Sequence, residues 1–221
     1  MSGTFVTVYT SEPDTMKMKN YNIQRRGVLI MKCIGIIGAM EQEVAKIKEK
    51  MQDVTITSRA RMDFYEGTLE GKKVVVVRSG IGKVNAGMCT QILADVFGVE
   101  AVINTGIAGS LNNDVNIGDI VLSTDVLHHD MDATVFGDPA GQIPRMDTLS
   151  FPADKELVKK AVAANEKANP DIHTFTGRVA SGDQFISDKE VKERIVSLFH
   201  PMCVETVSYT HLRAHETLAN L

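Results

Sequence analysis

Glu41 and Glu43 stand two residues apart, just after the run Cys33-Ile34-Gly35-Ile36-Ile37-Gly38 turns through Ala39-Met40. A carboxylate at that point has two kinds of chemistry open to it. It can complement the partial positive charge at a helix start, which stabilises by roughly 0.3–1 kcal/mol. It can also take a proton from a bound water, as a general base. Glu41 is assigned the first role. Glu43 lies two residues on, so on a helix it points elsewhere and can reach back toward a pocket at the strand end.

Other chemical signatures fail on spacing. Glycines at 35 and 38 do not make the dinucleotide fingerprint G-x-G-x-x-G. Gly82-Lys83 is not a phosphate loop, because Val77 stands where the earlier glycine belongs and Val84 follows the lysine. No G-x-S-x-G elbow is present. In His128-His129-Asp130-Met131-Asp132, residues 128, 130 and 132 would share one face of a strand. With no fourth ligand evident, an exposed polar loop explains them as well as a metal does. His211 and His215 are spaced i, i+4 but lack the glutamate of a metalloprotease helix. No metal and no cofactor are expected.

The elements that must carry Glu43 follow from periodicity. Cys33–Ile37 is a buried-type strand, and Val44, Ile47 and Met51 share one face of a helix over Glu41–Met51. Strands are expected at Phe64–Leu69 and Lys73–Arg78, joined by a turn at 70–72. A helix over Lys83–Phe97 carries Val84, Met88, Ile92 and Val96. Strands follow at Ala101–Thr105, Asp119–Asp125 and Thr174–Ala180, with a helix from Pro152 to about Ala168. Ser187 and Glu190 form a capping box for a last helix to about Phe199. Alternating strands and helices predict a layered α/β fold with a largely parallel sheet.

Ligands bind such sheets outside the carboxyl ends of the strands. Four of these ends finish in small residues, in the stretches Gly38-Ala39-Met40, Ser79-Gly80-Ile81-Gly82, Gly106-Ile107-Ala108-Gly109 and Ser181-Gly182-Asp183. Small residues let a ligand approach the backbone, so together they predict a pocket rimmed by main chain.

The bulk properties exclude several classes. The 221 residues suit one domain. A formal charge of -4 gives no general attraction to nucleic acid or to an anionic membrane. No apolar run is long enough to span a bilayer. Cys33, Cys89 and Cys203 are widely separated, which fits reduced thiols in a cytoplasm. Residues 1–30 have no signal-peptide core and are expected to be a leader outside the fold, with Met16, Met18 and Met31 as alternative later starts and an N-terminal arm or weak transit peptide as the competing reading.

Taken in order, MKCIGIIGAMEQEV, VVRSGIGKVNAG, VINTGIAGSL, GDIVLSTDVLHHDMDAT, the FG and GQIPR pair, and VASGDQFI resemble the 5'-methylthioadenosine/S-adenosylhomocysteine nucleosidases of the nucleoside phosphorylase superfamily. The resemblance covers about residues 31 to 205. It implies a three-layer α/β/α fold with a central mixed, mostly parallel sheet, and hydrolysis of an N-glycosidic bond to release adenine, in methionine salvage. It implies Glu43 as the water-activating base. It implies that Ala39, Met40, Ile81, Ile107, Ala108 and Gly109 line the ribose and base pocket, that Phe185 stacks on adenine, and that the Ile186 backbone reads the base edge. Phe136 and Pro144 correspond to positions that close the neighbouring subunit's alkylthio pocket, which implies a homodimer. Ile107 stands where some members carry serine.

The resemblance also breaks. The family continues through V-E-M-E, whose second glutamate holds the ribose hydroxyls. Here Glu205 matches the first, while Thr206 and Val207 stand in the next two places. The family's following strand, its Ser-Asp acid and its closing helix have no counterpart. Residues 206–221 look foreign, leaving 31–205 as an incomplete nucleosidase domain, and impaired turnover is expected. The alternatives are an inactive fragment that at most binds adenine nucleosides, a non-enzymatic binding module, and a phosphorylase. The last would need cations for phosphate, and the GAMEQEV and NTGIAGS turns carry no arginine.

Overall fold

The computed structural model describes residues 2–10 and 33–207. The elements run β1 (Ser2–Thr10), β2 (Ile34–Gly38), α1 (Glu41–Lys50), β3 (Gln52–Arg59), β4 (Met62–Leu69), β5 (Lys72–Arg78), α2 (Lys83–Asp95), β6 (Ala101–Ser110) and β7 (Ile120–His128). A 3-10 turn at Thr134–Phe136 precedes β8 (Phe151–Pro152), α3 (Lys155–Ala168), β9 (Thr174–Ser181), α4 (Lys189–Phe199) and β10 (Cys203–Glu205).

The strands form one mixed sheet in the order β1-β7-β9-β10-β6-β2-β5-β4-β3. Because β1 also pairs with β6, the first five strands close into a ring, and the rest extend from β6 as an open sheet. The pairs around the first strand end are parallel, with β2 between β5 and β6. So are β7, β9 and β10. The two sets run in opposite directions, because β10 is antiparallel to β6.

The layers follow from alternation along β2 and β5. Ile37, Val75 and Val77 face α2, where they meet Cys89 and Leu93. Ile36, Val74 and Val76 face the other way and meet Val44 of α1. A sheet with a helix on each face needs apolar residues on both, which is why Val74-Val75-Val76-Val77 is a continuous run. Val44 is fully buried, and such a side chain contributes about 1.5–3 kcal/mol. This packing fixes the roll of α1 and so the direction of Glu43, one residue before it. A third cluster fills the ring side, where Ile195 and Phe199 of α4 pack with Val126, Val179 and Phe151.

Three expectations need correction. Ser2–Thr10 lie inside the sheet rather than in a leader outside the fold; Phe5-Val6-Thr7-Val8-Tyr9 is a run of strand formers, and the gap between β6 and β7 accepts it. The remaining leader positions, 1 and 11–30, lie outside the described residues, as does the tail from 208 onward. The cap of α4 is Asp188 rather than Ser187: its Oδ1 accepts from the Val191 N–H at 3.0 Å. Strand β3, which no periodicity announced, is an edge strand with nearly every side chain exposed. Among the described residues no helix is long and apolar enough to cross a membrane.

Candidate active site

A cavity of about 830 Å³ opens at the carboxyl ends of β2 and β6 and is closed on its far side by the segment between β9 and α4. It gathers most of the residues that the sequence singled out. Ala39, Met40 and Glu43 line it from the β2–α1 turn, and Ile81 from the turn before α2. Ile107, Ala108 and Gly109 line it from β6, and Phe185 and Ile186 from the β9–α4 segment. Phe136 and Pro144 do not line it; both are exposed, Phe136 at 85%.

Glu43 is the third residue of α1, and its carboxylate is held by two main-chain donors from different strand ends. Oε2 accepts from Met40 N–H at 2.8 Å, the reach-back of a capping glutamate. A cap alone would leave the second oxygen to solvent. Here Oε1 accepts from Ile107 N–H at 3.0 Å, so the carboxylate bridges β2 and β6 across the cavity floor. Gly38 makes this possible: a Cβ there would lie 2.9 Å from the Glu43 Cβ and 2.8 Å from the Val44 Cγ1. Glu41 faces away, paired with Lys48 at 2.9 Å and half exposed, so its role is on the surface.

The opposite wall is built differently. Gln184–Ser187 belong to no helix or strand, and Phe185 is 93% exposed. The wall starts at Gly182-Asp183. Gly182 is pressed onto β7's end so closely that a Cβ would lie 2.3 Å from His129 Nε2. The Asp183 N–H donates to Asp130 Oδ2 at 2.8 Å, and Asp183 Oδ1 accepts from Lys83 N–H at 2.8 Å. Lys83 Nζ donates to both Asp130 oxygens at 2.9 Å, and His128 Nδ1 lies 3.3 Å from Nζ and from Asp130 Oδ1.

The His128, Asp130 and Asp132 set thus divides. His128 and Asp130 gather around an ammonium, while Asp132 accepts from the Thr134 N–H and hydroxyl. Among the described residues no group of three or more His, Cys, Asp or Glu side chains is placed to hold a metal ion. Burial opposes the Asp130 anion, but hydrogen bonds from His128, Lys83 and the Asp183 N–H, with the lysine's charge, hold its carboxyl well below the usual range. Burial pushes the His129 pKa down, against the pull of Asp130. His129 Nε2 and Ser181 Oγ are buried without a hydrogen-bond partner among the described residues.

The cavity also contains residues that the sequence did not single out as lining: Asn104, Lys192, Glu205 and Val207 among them. Asp183 lines it too, as its place directly after the Ser181-Gly182 strand end signalled. Glu205 sits buried on β10, where its Oε2 accepts from Val207 N–H at 2.6 Å.

Residues 33–208 match the family model described as the phosphorylase superfamily. Over 173 residues the chain is 44% identical to the 5'-methylthioadenosine/S-adenosylhomocysteine nucleosidase of Staphylococcus haemolyticus, covering 78% of this chain and 75% of that protein. The nucleosidase of Colwellia psychrerythraea, solved in complex with adenine, superposes with a TM-score of 0.81 at 39% identity, covering 86% of this chain and 78% of that one. The Neisseria meningitidis nucleosidase with methylthio-immucillin-A gives a TM-score of 0.81 at 36% identity, covering 86% and 81%.

Proposed function

The chain belongs to the phosphorylase superfamily and within it to the 5'-methylthioadenosine/S-adenosylhomocysteine nucleosidases, and on that premise we propose that it cleaves the N-glycosidic bond of an adenine nucleoside with water. The observation that carries this reading is the Glu43 carboxylate, held by Met40 N–H and Ile107 N–H at the cavity floor. Each oxygen spends one lone-pair direction on the backbone and keeps another for a water. That water gives a proton to Glu43 as its oxygen attacks the anomeric carbon and the ribose gains oxocarbenium character, and adenine leaves with the C–N bonding pair and takes up a proton from solvent. The two donors also fix the carboxylate's aim, so the water's approach is set before substrate arrives.

The other roles are those that the resemblance implies. The main chain of Ile107–Gly109, with Ala39, Met40 and Ile81, surrounds the sugar. Phe185 stacks on adenine, and the Ile186 main chain reads its edge. Hydrolysis is favoured over phosphorolysis because Glu43, Asp183 and Glu205 line the cavity against Lys192 as its one ammonium among the described residues. Phosphate would enter a site of its own charge sign.

Thr206 and Val207 line the cavity where the resemblance implies a methionine and a ribose-holding glutamate, so slow turnover is expected of these 221 residues. The protein acts as a homodimer in the cytoplasm, in methionine salvage. Support for the dimer comes from exposed apolar side chains at Val84, Met88, Val135 and Phe136, the last of which would complete the partner's alkylthio pocket.

The test is product analysis from 5'-methylthioadenosine with and without inorganic phosphate. Free adenine and free methylthioribose at a rate independent of phosphate are expected. A phosphate requirement and a sugar 1-phosphate product would overturn hydrolysis.

A further inference from the structure

We propose that Asp130 is a positioning residue that sets the adenine wall of the cavity, by tying Asp183 at the start of that wall to Lys83 at the start of α2. The inference rests on the reading of Phe185 and Ile186 as the base-binding wall.

Gln184–Ser187 make no hydrogen bond to another described residue, so the segment is held by its two ends and by Ile186, which packs against the ring-side core. The downstream end is Asp188, which caps α4. The upstream end is Asp183, whose own hydrogen bonds all run to one cluster, while the Gly182 N–H before it donates to the Glu205 carbonyl at 3.1 Å. The Asp183 N–H is taken by Asp130, and its carboxylate takes the Lys83 N–H. Gly82, the residue that would cap α2, has no side chain, so Asp183 supplies the cap from 100 residues away.

Two carboxylates meet here, and Lys83 is what lets them share the space. Its Nζ is 2.9 Å from Asp130 and 3.8 Å from Asp183. The Asp130 side chain is 12% exposed and the Lys83 side chain 23%, so solvent screens the pair little. Ile81 precedes Lys83 by two residues and lines the cavity on the other side, with its carbonyl held by Asn85 Nδ2 at 2.7 Å. The cluster therefore sets the spacing between the Ile81 turn and the Phe185 wall. Phe185 itself, at 93% exposed, has almost no packing to hold it in place. A loosened upstream anchor would let the wall sample positions that do not bind base, and affinity falls by the fraction of the population lost.

The effect is on binding rather than on the Glu43 chemistry, which separates this role from a purely structural one. In Asp130→Ala, adenine affinity by titration calorimetry and KM for 5'-methylthioadenosine should each weaken by roughly tenfold, with kcat at saturation within about threefold of the parent. Asp130→Asn keeps an acceptor for the Asp183 N–H but loses the charge for Lys83. It should fall between the two, and it carries the test if the alanine variant does not fold. Amide exchange at Gln184–Ser187 should quicken in either folded variant while that of β2 and β5 stays unchanged. A folded variant with parental adenine affinity and parental exchange at 184–187 overturns the anchor, as does a fall in kcat with KM unmoved. If the parent chain itself binds no adenine, the base-wall reading fails first and the anchor falls with it.

Discussion

The two walls of the cavity are held by different physics. The Glu43 wall hangs on main-chain donors at the ends of β2 and β6, and those strands lie between two helices in a core of fully buried valines. The Phe185 wall is a stretch of irregular chain tethered through Asp183 to a cluster of charged side chains. Backbone amides neither titrate near neutrality nor change rotamer, so the chemical group is placed by the least adjustable part of the molecule. The Phe185 wall, which on the proposed reading admits and releases the base, is placed by groups that can be protonated or moved. The difference predicts that damage to one wall lowers kcat and damage to the other raises KM.

Gly38→Ala tests the rigid wall hardest. Its methyl would lie within 2.9 Å of Glu43 and Val44 atoms, so α1 must shift and the carboxylate must leave its two donors. Loss of about 10²-fold in kcat is expected from misplacement on the order of 1 Å, with adenine affinity little changed. Equal losses in both parameters would mean that the walls are not independent. Gly182→Ala is the matching lesion on the other side, where the methyl meets His129 at 2.3 Å. Steady-state kinetics should show KM raised roughly tenfold and kcat held within about threefold, in the pattern of lost ground-state binding.

Acid should reach the charged wall first. His129 has a folded pKa depressed below its ordinary 6.5, mainly by burial. Its contribution to stability is therefore complete above pH 6.5 and is lost as the pH falls below it, because the unfolded chain gains a proton that the folded ring resists. Asp130 adds a second loss below its ordinary 3.8, since its folded pKa is also depressed. The groups facing this pair are Lys83, His128 and Asp183. Thermal melts should show Tm falling from pH 7 to pH 5, with a shallower slope in His129→Gln. An unchanged slope would place the acid sensitivity elsewhere. The smallest effect is expected far from both walls: Ile56→Thr on edge strand β3, where the side chain is 55% exposed, should change stability by no more than about 0.5 kcal/mol in a denaturant titration.

The same contrast explains what was legible in the sequence. The rigid wall announced itself, because a continuous apolar run, a glycine and a helix-starting acid are local signals. Glu43 and the small residues around Ile107–Gly109 could be singled out from their neighbours in the chain. The charged wall could not, because its pairs span long separations. Asp130 meets Lys83 from 47 residues away, and nothing near His128 and Asp130 indicated that an ammonium would sit between them. Strand β3 escaped notice because an edge strand with solvent on most sides needs no apolar pattern. Strand β1 reads as a leader in the sequence because its partners, β6 and β7, are far along the chain. The α4 cap shifted by one residue, to Asp188 from Ser187, a difference that spacing alone does not decide.

The most direct test of the account is adenine release from 5'-methylthioadenosine by the parent chain and by Glu43→Gln, with adenine affinity measured on both. The glutamine keeps the size of the side chain and one acceptor but cannot take a proton from water. The account predicts that release falls by about 10²–10⁴-fold while adenine affinity stays near that of the parent. Release that survives the substitution would contradict Glu43 as the base.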